Sequence, residues 1–314
     1  AAIATGVVDF VLPVRDLAHK LVEINRHRVQ VPTDPHNLSS EQHDALQRIL
    51  AQLQSRTGHD LRAYKPTTIL RRIQRRLQIT GHETLDGYLL YLRQSPDEVR
   101  ALLRDLLIGV TNFFRDEESW RRLAEEVIPE LFRDRTATDV VRVWSIGCST
   151  GEEAYSLAML LLEHAATLDD APQIQVFATD MDEESLNKAR DGLYPDTISA
   201  DVSPERLARF FSREGTHYRV WREVRDIVLF ATHSVLRDPP FSRQDLIVCR
   251  NLLIYLQRPL QDNLFEIFYY ALNPGGFMFL GSSESADSAA DLFLTVDKKH
   301  RLFRRREWSG RSPD

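Results

Sequence analysis

Cysteine is nearly missing from this chain. Cys148 and Cys249 are the only two among 314 residues, too few for a disulfide-built scaffold, so free thiols in a reducing compartment are expected. Long apolar runs are missing as well: no stretch reaches the roughly 18 apolar residues that span a bilayer, and no basic, apolar and small-residue leader opens the sequence. The expectation is a soluble, cytoplasmic protein that meets a membrane only through a partner. Positive charge is not in excess. A formal net charge of −6 and a pI near 6.0 argue against a general polyanion binder and leave only local basic patches open. Both common phosphate-loop fingerprints are absent too, since SIGCSTGEE at residues 145–153 matches neither GxGxxG nor the cradle that ends in lysine.

What is present can build a globular protein. An apolar content of 43% in 314 residues suffices for one substantial core with a smaller domain beside it. Residues 1–36 read as an appendage: VVDFVL is strand-like up to Pro13, and DLAHKLVEI has helical spacing. From Ser39 the pattern turns helical. SSEQHDALQRILAQLQSRTG offers a serine N-cap and a closing Gly58, with Leu46, Ile49, Leu50 and Leu53 on one stripe. TTILRRIQRRLQITG, HETLDGYLLYLRQS and PDEVRALLRDLLIG repeat the scheme, which predicts an all-α N-terminal domain over 37–110.

After residue 111 the period changes. VVRVWSIG, IQVFATD, DLIVC and GGFMFLG read as strands buried on both faces, separated by the helices EEAYSLAMLLLEHA, EESLNKARDG and LQDNLFEIFYYAL. Such alternation predicts an α/β fold with a mostly parallel, doubly wound sheet over 111–308, binding its ligand beyond the carboxyl ends of the strands. Between 193 and 232 the alternation breaks. There THYRVWREV and DIVLFAT read as an antiparallel hairpin after the helix SPERLARFF, a small β insert. Residues 309–314 form a polar tail.

The glycine loop, Gly147-Cys148-Ser149-Thr150-Gly151, is followed by Glu152 and Glu153 in the first turn of a helix. Carboxylates there suit the helix macrodipole but repel a pyrophosphate competing for the same amides. A cationic or neutral ligand is expected. The second strand closes on Asp180, where an acid can accept from both hydroxyls of a ribose. An adenosine carrying a positively charged, phosphate-free tail fits both features, and S-adenosylmethionine is that molecule. Either feature alone has a plainer use, the loop as a tight turn and an acid such as Asp182 as an N-cap.

VWSIGCSTGEEAYSLA, FATDMDEESLNKARDGLY, DLIVCRNLLIYL and VTNFFRDEESW together resemble the chemotaxis receptor methyltransferases, the CheR family. The resemblance runs from about residue 38 to 308. It implies an adenosylmethionine-dependent methyltransferase fold with a small antiparallel insert, preceded by a helical domain. It implies methyl transfer from S-adenosylmethionine to receptor glutamates, with S-adenosylhomocysteine as product, no metal, and a glutamate-rich signalling helix of a methyl-accepting chemotaxis receptor as partner. Cofactor contacts implied by position are Thr111, Arg115, Gly147, Glu153, Asp180, Arg250 and Asn251, with Ser234 and Val235 standing where members carry asparagine and leucine. Arg115 and Tyr255 are implied to orient the incoming glutamate. That chemistry needs no general base, because a carboxylate with a pKa of about 4.3 is already the nucleophile near neutral pH. Simpler uses are a salt bridge from Arg115 to Asp116 or Glu117, and a core position for Tyr255.

Between Leu61 and Gly81 lie Arg62, Lys65, Arg71, Arg72, Arg75 and Arg76, with no acid among them. Spacing of four places Arg71 with Arg75 and Arg72 with Arg76 on adjacent exposed rows, opposite Ile69, Ile73 and Leu77. This face is a solvated surface or a docking site for the glutamate-rich substrate helix. Nucleic acid is disfavoured because the helix TTILRRIQRRLQITG has no aromatic residue interleaved with its arginines for base stacking. RDPPF at 237–241 resembles the box of nucleic-acid base methyltransferases, but it precedes the strand DLIVC instead of ending one. The compact SREGTHYRVW suggests an enzyme that needs no receptor tether. AAIATGVVDFVLPVRDLAHKL resembles the end of a methylesterase domain, as in an esterase–transferase fusion, or is a linker helix. A cofactor-binding signalling module without turnover is the reading from a different class.

Overall fold

The computed structural model describes residues 10–26, 31–107 and 109–307. The chain divides into two compact units, Ala1–Ile108 and Gly109–Asp314. Half of the strand expected over residues 7–12, residues 7–9, lies outside the described residues, and its described half, Phe10–Leu12, has no regular structure. The polar tail 309–314 also lies outside them.

The first unit contains α1 (Val14–Arg26), α2 (Ser40–Thr57), α3 (Pro66–Thr80), α4 (Leu85–Gln94) and α5 (Pro96–Leu107). Its helix ends follow from local chemistry. Ser39 Oγ accepts from the Gln42 amide at 3.2 Å while Gln42 Oε1 accepts from the Ser39 amide at 3.0 Å, a closed capping box at the start of α2. Gly58 and Gly81 stop α2 and α3 in left-handed conformation, with φ of 77° and 73°. Leu46, Ile49, Leu53, Ile73, Leu77 and Leu102 are all buried in this unit.

The second unit opens with α6 (Glu117–Arg122), a π turn at Leu123–Val127, and α7 (Ile128–Phe132). Then come β1 (Val140–Ile146), α8 (Glu152–Ala165), β2 (Gln173–Asp180) and α9 (Glu183–Asp191). The insert follows with β3 (Leu193–Pro195), α10 (Pro204–Phe210), β4 (Phe211–Glu214) and β5 (His217–Val220). The chain continues through α11 (Arg222–Asp226), β6 (Val228–Thr232), β7 (Gln244–Cys249), α12 (Arg258–Ala271), β8 (Leu272–Leu280), β9 (Phe293–Asp297) and β10 (Leu302–Arg305).

Seven strands form one sheet in the order β6-β2-β1-β7-β8-β10-β9. Pairing is parallel from β6 through β8 and antiparallel at β10 and β9. From β1 the chain winds outward to β2 and β6 and then returns to β7 on the other side of β1. The reversal opens a crevice between the carboxyl ends of β1 and β7, where a doubly wound fold receives its ligand. The central strands are buried on both faces, β7 along its whole length.

One expectation is corrected. DIVLFAT does not pair with THYRV in a hairpin. It forms β6, which runs parallel to β2 with Val228 beside Val176 and Thr232 beside Asp180. The intervening WREVRD supplies α11, which takes the chain away from any tight turn. The insert is the separate antiparallel sheet β3-β5-β4, ending at Val220. β4 and β5 meet at a two-residue turn in which Gly215 has φ +60°, a conformation that costs glycine little.

Candidate functional site

The crevice is built from four loops that leave the carboxyl ends of β1, β2, β7 and β8, with the segment Gly109–Asp116 beside them. In the glycine loop the amides are already committed. Gly147 and Cys148 N–H both donate to Thr179 O, at 2.7 and 3.0 Å, and Gly151 N–H donates to Cys148 O at 2.9 Å. Ser149 N–H donates to Asp180 Oδ2 at 2.8 Å. With four of its five amides consumed internally, the loop offers no nest of donors to a phosphate.

Asp180 ends β2 half-buried. It accepts from Ser149 and, through Oδ1, from the Asp182 amide at 2.9 Å. Burial raises its pKa, and these backbone hydrogen bonds pull the other way. Each carboxylate oxygen has a second lone pair to offer a vicinal diol. Asp182 itself caps α9, accepting from Glu184 N–H at 3.1 Å.

Glu153 lies in the first turn of α8 with its side chain 13% exposed. Its Oε1 accepts from Ser145 Oγ at 2.9 Å, and its Oε2 is 3.9 Å from Arg250. Burial pushes its pKa up to about 7 against the pull of Arg250 and Ser145. Arg250 leaves β7 with its side chain 1% exposed, donates to Asp116 Oδ2 at 2.9 Å, and lies over the rings of Phe279 and Trp120. Burial lowers its pKa while the carboxylates around it raise it. Arg115 is near enough to act on the charges of both Glu153 and Arg250. It donates to Val110 O at 3.1 Å, and Asp116 pairs with Arg250 and not with its neighbour Arg115. The remaining guanidinium donors of Arg115 can serve a ligand.

Asn251 has φ +60°, unusual for a residue with a side chain. Glu284 holds it there. Its Oε2 accepts from Asn251 and Gly281 N–H at 3.0 and 2.7 Å, and its Oε1 from Leu253 N–H at 2.7 Å. A side chain on Gly281 would come within 2.8 Å of the Asn251 amide, so the loops after β7 and β8 need glycine to approach this closely. Sequence reasoning missed Glu284, Ser145 and Asp116. For Glu284 the available signal was an isolated acid in the small-residue loop GSSESA directly after a buried strand.

The other candidates are placed as follows. Gly147 turns the chain out of β1 with φ +72°. Thr111 is half-buried in the segment that carries Arg115. Ser234 and Val235 follow β6 at the same sheet edge as Asp180, and Ser234 N–H donates to Asp238 Oδ2 at 2.7 Å. Tyr255 ends a single 3-10 turn after β7 and is half-buried. Among the described residues, no hydrogen bond joins it to Arg115. DPPF lies ahead of β7, with the Phe241 ring stacked on Phe177 at 4.8 Å and Pro239 O 3.0 Å from His233 Nε2. Cys148, in the glycine loop after β1, and Cys249, at the end of the adjacent β7, are free, buried thiols, and burial raises both pKa values.

A cationic, phosphate-free nucleoside fits this crevice on two observations: the glycine loop keeps a single uncommitted amide beside the acids Glu153 and Asp180, and Asp180 retains lone pairs for a diol. Buried Arg250 Nε and His233 Nδ1 lack partners at the same sheet edge, and the first is a donor that calls for an acceptor group on the ligand.

In the helical unit the basic face is smaller than expected. Arg71 is exposed, Arg72 is half-buried, and Arg75 lies 3.4 Å from Asp105. Arg76 is a correction: it is 8% exposed and forms a two-pronged pair with Glu98 at 2.9 and 2.7 Å. Tyr88 OH donates to the same carboxylate at 2.6 Å. Arg76 sits seven residues after Ile69 and three after Ile73, which puts it on the apolar stripe.

Comparison with known proteins gives concordant matches. The family model described as the CheR methyltransferase SAM-binding domain matches residues 109–302, and that described as the CheR methyltransferase all-alpha domain matches 44–107. An uncharacterized 104.1 kDa protein from the hypE 3′ region of Rhodobacter capsulatus is 39% identical over 260 residues, 83% of this chain and 27% of that protein. This chain thus spans about a quarter of that relative's length. Chemotaxis protein methyltransferase 2 of Vibrio cholerae is 34% identical over 229 residues, 71% of this chain and 79% of that protein. The chemotaxis protein methyltransferase of Escherichia coli is 35% identical over 250 residues, 76% of this chain and 83% of that one.

Proposed function

The chain belongs to the CheR methyltransferase family, and from that premise we propose that it methylates glutamate side chains of chemotaxis receptors, forming methyl esters. The observation that carries the proposal is the pairing of spent loop amides with the acids Asp180 and Glu153, which favours a phosphate-free, cationic nucleoside.

In this reading Asp180 accepts from the ribose hydroxyls, and Ser234 and Val235 border the adenine. Glu153, backed by Arg250 and Ser145, faces the positive end of the cofactor, with Gly147, Thr111 and Asn251 shaping the walls. S-adenosylmethionine supplies a methyl group on a sulfonium that departs neutral. The methyl-transfer step itself needs no general base, since the substrate carboxylate is already ionised near neutral pH. Its task is alignment and exclusion of water. Arg115 and Tyr255 hold the glutamate, and Asp116 keeps Arg250 from competing for it. Arg71, Arg72 and Arg75 dock the glutamate-rich receptor helix, with Arg76 bracing them from beneath. A cytoplasmic setting, a tether-independent mode of action, and a methylesterase domain in the same parent chain belong to the same proposal. No helix among the described residues is long and apolar enough to cross a membrane.

The test is transfer from methyl-labelled cofactor to receptor-bearing membranes, followed by a rise in pH. Glutamate methyl esters would release volatile labelled methanol. Base-stable label would point to nitrogen methylation, and no transfer would point to a binding module without turnover.

A further inference from the structure

The insert does more than decorate the sheet. Its residues grip both backbone segments that line the crevice, and those segments carry rare conformations: Phe114, Asp116 and Ser149 all have φ between +48° and +63°. Side chains of this kind hold left-handed backbone only when their surroundings over-determine it. For the glycine loop part of that hold comes from β3. Tyr194 OH donates to Thr150 O at 2.6 Å, and an added Cβ at Gly151 would lie 3.1 Å from the same hydroxyl. For the segment bearing Arg115 it comes from three places. The Phe113 ring meets Tyr194 of β3 edge-on at 4.9 Å and Phe211 of β4 at 5.7 Å. Asn112 Nδ2 donates to Asp201 ahead of α10 at 3.3 Å. The Arg206 guanidinium lies 4.3 Å from the Phe114 ring centre and forms two hydrogen bonds to Glu163 of α8, at 2.8 and 2.9 Å. Arg206 therefore clamps the residue next to Arg115 onto the helix that carries Glu153.

We infer that Tyr194 and Arg206 are positioning residues for the cofactor, through which the antiparallel insert sets the geometry of both crevice loops. The inference rests on the reading that S-adenosylmethionine binds this crevice. Neither residue touches the ligand. Tyr194 fixes the carbonyl of Thr150 and so the turn that presents Glu153, while Arg206 fixes Phe114 and so the reach of Arg115.

The test uses the full chain with Tyr194→Phe and Arg206→Leu, and with Arg206→Lys as the conservative rescue. Tyr194→Phe keeps the ring, its packing on Phe113 and the fold, and loses one hydrogen bond. S-adenosylhomocysteine affinity by calorimetry should fall about three- to tenfold in Tyr194→Phe and in Arg206→Leu. KM for S-adenosylmethionine should rise in parallel while kcat at saturating cofactor stays within about twofold, and Arg206→Lys should recover part of the loss. A merely structural role would lower the melting temperature and leave the affinity of the folded protein at the wild-type value, and that result would overturn the inference. Failure of the wild-type protein to bind S-adenosylhomocysteine would overturn the cofactor reading and this inference with it. Wild-type binding with unchanged affinity in Tyr194→Phe would overturn the inference alone.

Discussion

Among the described residues two arginines are buried, one in each unit, and they are buried in different ways. Arg76 in the helical unit meets both oxygens of Glu98, which Tyr88 also supports. Arg250 in the α/β unit meets Asp116 with one nitrogen, stands 3.9 Å from Glu153, and has an unpartnered Nε. The first is a closed network inside a helix bundle. The second is an open one at the carboxyl edge of a sheet, surrounded by left-handed backbone at Asp116 and Asn251. A buried charge whose bonds are nearly all made locks a fold, whereas one left with bonds to make marks a place for a ligand.

The sharpest way to break this contrast is to remove the closed network. Arg76→Met leaves Glu98 buried without its cation and should cost about 3–5 kcal/mol of stability, visible as a lower urea midpoint by circular dichroism. A loss under 1 kcal/mol would mean that the pair is solvated and the contrast false. Opening the other side, Asp180→Ala should lower the melting temperature by a few degrees, because the Ser149 and Asp182 amides lose their acceptor, and should weaken S-adenosylhomocysteine binding to the folded protein roughly 10- to 100-fold by calorimetry, as expected for lost charged hydrogen bonds.

Glu153 gives a sign-determined test. Its folded pKa, about 7, is above the ordinary value of 4.5, so the free protein holds a neutral acid there below pH 7. In the free protein this group's effect is a stability loss, absent below about pH 4.5 and growing as pH rises to about 7. A cationic cofactor reverses the preference and expels the proton. Affinity for S-adenosylmethionine should therefore rise about tenfold from pH 6 to pH 8, with proton release detectable in buffers of different ionisation enthalpy. Glu153→Gln should flatten the profile. The smallest effect belongs to the basic face. Arg71→Glu with Arg72→Glu should raise KM for receptor about two- to fivefold at low salt and leave cofactor affinity alone, since exposed charges are screened. Equal KM values would remove these residues from docking.

The two units also differed in what their sequences disclosed. In the helical unit the caps at Ser39 and Gly58 and the apolar stripes were legible because helical contacts are local. Arg76 escaped because a spacing of four was followed along the charged residues and a spacing of seven from Ile69 was not. In the α/β unit the buried strands and the acidic glycine loop were legible from composition alone. The partner of β6 was not, because parallel pairing with β2 is non-local and two nearby strand-like runs invite a hairpin. β9 and β10 also escaped, since their exposed residues break the apolar runs that revealed the central strands. Of the candidate site, Asp180 was legible as an acid at a strand end and Glu153 as an acid in the first turn of the helix after the glycine loop. Glu284 acts through a fold in the backbone, and its carboxylate meets amides from another loop that no local pattern connects to it.

The central claim is that spent amides beside acids select a nucleoside without phosphate. Titration calorimetry of the wild-type chain with S-adenosylhomocysteine and, separately, with ATP tests it most directly. The account predicts one-to-one binding of the first and no measurable heat from the second. Comparable binding of ATP, or no binding of S-adenosylhomocysteine, would contradict it.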